Sequence, residues 1–134
     1  LDSDVCSSDL LSHGARGRAI HGGGELNMAV LLVITNLPSR ESADELASTL
    51  IERGLAACVN ALAPCRSTYR WQGKLQQDEE YPLLIKTTQE GYEALEHAIR
   101  TAHPYELPEI IAVPVLTGLP AYLDWVDAQV PPGN

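Results

Sequence analysis

From residue 29 onward the chain switches repeatedly between two apolar patterns. Positions 29–34 are apolar without a break, and Thr35, Asn36, Leu37 and Pro38 follow. A run apolar on both sides reads as a central, buried strand. Ala43, Leu46, Ala47, Leu50 and Ile51 then recur at helical spacing, with Ser39 or Ser42 as N-cap and Gly54 as the stop. A second extended run covers residues 56–71. Gln72-Gly73 is the turn signal before a return arm from Lys74 to Thr88. Thr88 is placed to cap a second helix with a stripe of Tyr92, Leu95, Ile99 and Ala102, which Pro104 ends. Residues 109–116 form a last strand. Leu119-Pro120 opens a short C-terminal helix that turns Leu119, Tyr122, Val126 and Val130 inward and leaves Trp125 for a neighbour.

This order predicts an α+β fold, a ferredoxin-like βαββαβ sandwich with a long hairpin between its second and third strands and an extra C-terminal helix. Right-handed crossovers put the first and third strands in the centre. Pro64 and Pro114 then fall on edge strands, where a missing N–H is tolerated. The hairpin is too long for two helices to cover. On one face it carries Ser67, Tyr69 and Trp71, on the other Arg66, Thr68 and Arg70. An overhanging ribbon with open edges invites pairing, so the pattern predicts a homo-oligomer closed by hairpin contacts.

Length and charge narrow the class. The 134 residues suit one domain. Residues 1–27 are rich in Ser, Gly and Asp without periodicity and are expected to be a disordered or non-native leader, with Met28 the natural start. The single domain is placed at 28–131 and a tail at 132–134. Of the formal net charge of −9, four acids and two arginines lie before Met28, which leaves −7 for the rest. Such a balance repels phosphate backbones, so no nucleic-acid partner is expected. No apolar run is long enough to span a bilayer. Three cysteines, an odd number, argue against a disulfide framework and for a cytoplasmic location.

Candidate chemistry concentrates in His103-Pro104-Tyr105-Glu106-Leu107-Pro108-Glu109, where two prolines stiffen a backbone bearing an imidazole, a phenol and two carboxylates. His103, Glu106 and Glu109 are the candidate metal ligands, and Cys58 could add a thiolate, although a cysteine in Ala-Ala-Cys-Val more often acts as a small buried hydrophobe. Lys86 interrupts an apolar strand and needs a partner, either a carboxylate or an anion in a cleft. Tyr69, Trp71, Tyr105 and Lys86 are the candidate cleft residues. Asp78-Glu79-Glu80 reads most simply as a solvated hairpin surface, with weak attraction of cations as the alternative.

Four motifs in order carry a resemblance. Gly54-Leu55-Ala56-Ala57-Cys58-Val59-Asn60, Tyr69-Arg70-Trp71-Gln72-Gly73-Lys74, Ile85-Lys86-Thr87-Thr88 and the run from His103 to Ile111 look like the CutA family of divalent-cation tolerance proteins. The resemblance spans about Val30 to Val130. It implies a ferredoxin-like homotrimer, similar in architecture to PII signalling proteins, and a link to copper and other divalent metals. In a mammalian member it implies a link to anchoring acetylcholinesterase. The copper ligands reported for a bacterial member are a first-strand cysteine and two adjacent histidines before Pro-Tyr. Those positions are Ile34, Ala102 and His103 here, so only His103 matches. One imidazole is a poor copper site.

Three readings follow: a trimer binding copper or another divalent ion weakly at a cleft between chains, a PII-like sensor of a small anionic ligand using Lys86 and arginines, or an adaptor trimer without a ligand. An enzyme is not expected, because the chain has no serine elbow and no phosphate-cradling glycine loop.

Overall fold

A computed structural model describes residues 29–132. The leader, the position of Met28 and most of the tail lie outside the described residues, as does Cys6. The elements are β1 (Val30–Leu37), α1 (Arg40–Glu52), β2 (Cys58–Ala61), β3 (Cys65–Trp71), β4 (Lys74–Thr88), α2 (Tyr92–Ala102), β5 (Ile110–Pro114) and α3 (Pro120–Gln129). The sheet runs β2-β4-β1-β5, with β3 also paired to β4, and every pairing is antiparallel. The first strand and the hairpin's return arm are therefore central, as the crossover rule requires.

Alternation along the strands sorts the two sheet faces. Val33, Leu37, Leu83 and Ile85 are buried on one face beneath α1 and α2, which contribute Ala43, Leu46, Leu50, Leu95, Ala98 and Ile99. The opposite face presents Leu32 and Ile34 from β1, Leu84 from β4, and Ile111 and Val113 from β5. α3 covers one end of that second face, where Val30 meets Leu123 and Val126. The remainder stays open, with Ile111 49% and Val113 46% exposed.

Local signals explain the ends of the elements. The Ser39 hydroxyl accepts the N–H of Ser42 and caps α1. At the other end Gly54 takes φ +70°. The N–H of Leu55 reaches the carbonyl of Leu50, and that of Gly54 the carbonyl of Ile51. This is a Schellman closure, with Leu50 and Leu55 buried in the same cluster. Gln72 (φ 52°) and Gly73 (φ 80°) both lie at positive φ, as a type I′ hairpin turn needs. Gly91 is buried where a Cβ would stand 2.9 Å from Val130 Cγ1, which is how α3 approaches the start of α2 so closely.

Several expectations are corrected. The run 56–71 is two strands, because the backbone leaves the ladder around Pro64 and rejoins β4 at Cys65. Thr88 does not occupy the cap position of α2, although its hydroxyl accepts the N–H of Gly91 just ahead of it. In α2 the buried stripe uses Ala98, and Ala102 is exposed. Ile51 is exposed on α1. In α3 the buried positions are Ala121, Leu123 and Val126, with Val130 just beyond. Leu119 faces out, and Tyr122 packs beside Trp125 at 5.7 Å between ring centroids.

Candidate functional site: an acidic, aromatic groove under the hairpin

β4 is 15 residues long but only its second half pairs with β1, from Tyr81 onward. Its first half runs past the end of β1 with β3 alongside. The loop after α2 lies beneath this overhang. His103 ends α2 in extended backbone (φ −81°, ψ 134°), as a residue before proline must.

The loop is pinned to β1 through the His103 ring. Its Nδ1 lies 3.2 Å from the N–H of Tyr105 and accepts it, so the proton sits on Nε2, which donates to the carbonyl of Asn36 at 2.5 Å. The Asn36 side chain in turn donates to Glu109 Oε1 at 2.8 Å. Tyr105 stacks obliquely on the His103 ring, with centroids 4.6 Å apart.

Between this loop and the hairpin lies a groove of about 600 Å³. Tyr69, Trp71, Asp78 and Glu80 line it from the hairpin, and Tyr105, Glu106, Leu107 and Glu109 from the loop. The Tyr69 hydroxyl donates to Asp78 and the Tyr105 hydroxyl to Glu80. Burial, then the Glu80 carboxylate, push the Tyr105 phenol up to about 12, and the bond to Asp78 raises Tyr69. Among the described residues that line the groove none is basic, so the four carboxylates there share a wall with phenols rather than with counter-ions.

Expected site residues separate into two groups. Tyr69, Trp71, Tyr105, Glu106 and Glu109 come together in the groove. His103 is buried (8% exposed) with both ring nitrogens engaged, which leaves it no free lone pair for a metal in this arrangement. Among the described residues no three His, Cys, Asp or Glu side chains converge as a metal cage. Lys86 lies elsewhere, opposite Cys58 in the ladder. It finds neither a carboxylate nor an anion cleft but the amide oxygen of Asn60, and partial burial lowers its pKa. Cys58 is buried and is not a free thiol, against the expectation from the odd cysteine count, so it offers no open thiolate; Cys65 is free and exposed.

Sequence reasoning took Asp78 and Glu80 first for solvated surface and missed Asn36, and all three line the groove. The signal for the first two was present. A turn at Gln72-Gly73 pairs Trp71 with Lys74, hence Ser67 with Asp78 and Cys65 with Glu80. Both acids therefore share the face of Tyr69 and Trp71. Asn36 had no such signal, because only the tertiary path of the loop brings Glu109 to it.

A ferredoxin-like sandwich whose overlong hairpin roofs an acidic groove is the class that fold and site together define. The chain matches the family described as CutA1 divalent ion tolerance protein over residues 31–129, and it belongs to that family. It is 43% identical to the divalent-cation tolerance protein CutA of Thermus thermophilus over 95 residues, 71% of this chain and 92% of that protein. With protein CutA of Mus musculus it shares 40% over 105 residues, 78% of this chain but 59% of the mouse protein. Among solved structures, CutA of Xylella fastidiosa superposes with a TM-score of 0.75 at 42% identity, covering 77% of this chain and 99% of the other.

Proposed function

We propose that the chain is a non-catalytic homotrimer that binds a divalent cation weakly in the groove, at a cleft completed by a neighbouring chain. The observation that carries this reading is the groove itself, in which Asp78, Glu80, Glu106 and Glu109 face one cavity with no basic side chain among the described lining residues. Oxygen donors suit magnesium, calcium or manganese better than copper, which prefers imidazole and thiolate. With Ile34 and Ala102 at the copper positions and the His103 ring occupied, hard divalent ions are the first choice and copper the second. Trimer formation is supported by the apolar patch of Leu32, Ile34, Leu84, Ile111 and Val113 and by an overhanging hairpin whose Leu75 is 72% exposed in the single chain. Among the described residues no helix is long and apolar enough to cross a membrane. A cytoplasmic location is part of the reading; the exposed thiol of Cys65 suits it and the bonded Cys58 does not. The anion-sensor alternative loses support, because Lys86 is not among the groove residues.

Sedimentation at micromolar concentration, followed by calorimetric titration with magnesium, manganese and copper, tests the proposal. The expected result is a trimer that binds the hard ions weakly and loses that binding in Asp78→Asn and Glu106→Gln. A stable folded monomer, or binding unchanged in both variants, contradicts it.

A further inference from the structure

The groove has a second chemical character that a metal does not use. Tyr69, Trp71 and Tyr105 supply aromatic walls from both sides, and Leu107, 70% exposed, adds an apolar one. The carboxylates are dispersed: a phenol holds Asp78, another holds Glu80, and an amide holds Glu109. They lower the potential of the whole cavity without closing a shell around one point. A small, strongly hydrated ion gains least from such a site, because aromatic faces and tethered carboxylates replace its water poorly. A large, weakly hydrated cation gains most, because π-faces attract its spread charge and bury its alkyl groups. The volume, about 600 Å³, lies within the range of small-molecule sites.

We infer that the groove of Tyr69, Trp71, Tyr105, Asp78 and Glu106 is a binding site for an organic ammonium ion bearing alkyl groups. The inference rests on the groove being a cation site, and it changes the class of cation that fits best.

The test uses full-length protein and ligand-observed NMR titration with tetramethylammonium. 2,2-Dimethylpropan-1-ol serves as a neutral probe of similar shape, and magnesium is titrated in parallel by calorimetry. Tetramethylammonium is expected to saturate the groove and the alcohol to bind far more weakly. Trp71→Leu, which keeps apolar bulk but removes the π-face, is expected to weaken the ammonium by a factor on the order of three to thirty and to weaken magnesium by a clearly smaller factor. Asp78→Asn is expected to weaken both cations. Tyr69→Leu repeats the aromatic test should sedimentation show Trp71→Leu misassembled. Equal binding of the alcohol, or indifference to both aromatic variants, overturns the inference. Magnesium binding without ammonium binding overturns it and leaves the divalent-cation reading intact. Binding of neither cation overturns both.

Discussion

The two halves of β4 obey different rules although one backbone runs through both. From Leu83 to Thr88 the side chains alternate between buried and half-buried, and Leu83, Ile85 and Thr87 are fully enclosed. From Lys74 to Glu79 nearly every side chain is exposed, and Leu75 is 72% open. The first pattern is what a strand shows when the chain itself supplies both neighbours and a helical layer. The second is a strand held chiefly by its ladder to β3, since no described helix or further strand packs on its faces. A paired ribbon without a packed face is marginal by itself in water. Its side chains are therefore the ones available to a ligand or to another copy, and the groove lies under this half.

Substitutions can break or sharpen that contrast. The largest effect is expected in the enclosed half, where Leu83→Ala should cost about 2–5 kcal/mol in denaturant unfolding. A cost below 1 kcal/mol would mean that this half is no better packed than the hairpin. Gly91→Ala should cost about 1–3 kcal/mol, because the new methyl meets Val130. Thermal unfolding of this variant reads the α2–α3 approach independently of the hairpin. Gly73→Ala forces a side chain into positive φ at the tip and should cost about 1–2 kcal/mol, with chemical-shift changes confined to β3 and the start of β4.

Tyr105→Phe tests the junction through pH. The Tyr105 phenol ionises at its ordinary value near 10 when unfolded and at about 12 when folded. Between those values the unfolded chain has already lost the proton that the folded chain keeps, so stability falls as pH rises. The contribution is complete below pH 10 and gone above about 12. Unfolding midpoints of the wild type should therefore drop more steeply across that window than those of Tyr105→Phe, and parallel curves would exclude a tied phenol. The smallest effect belongs to the exposed half, where Leu75→Ser should change unfolding by less than about 0.5 kcal/mol in the dissociated chain.

How much could be read from the chain alone follows the same division. Element order and sheet order were legible because Leu46, Leu50, Leu95 and Ile99 repeat at helical spacing and Pro114 sits on a border strand, although Pro82 lies inside the central β4. The break at Pro64 was half legible: the missing N–H marked the place, but not whether the strand would bulge or stop. In α3 the expected stripe held only in part, with Val126 and Val130 buried and Leu119 exposed, since apolar residues stand on more than one side of so short a helix. Tyr69, Trp71, Tyr105, Glu106 and Glu109, expected from their chemistry, line one groove. The bonding of the His103 ring was not legible, because the carbonyl that takes its proton is 67 positions away in the chain.

β5 is the border of the sheet, five residues long and ending at Pro114. A foreign peptide seeking to extend the sheet there would find a landing strip of a few amides, finished by a residue with no hydrogen to give. Brevity and that terminal ring together discourage runaway fibre growth along this border.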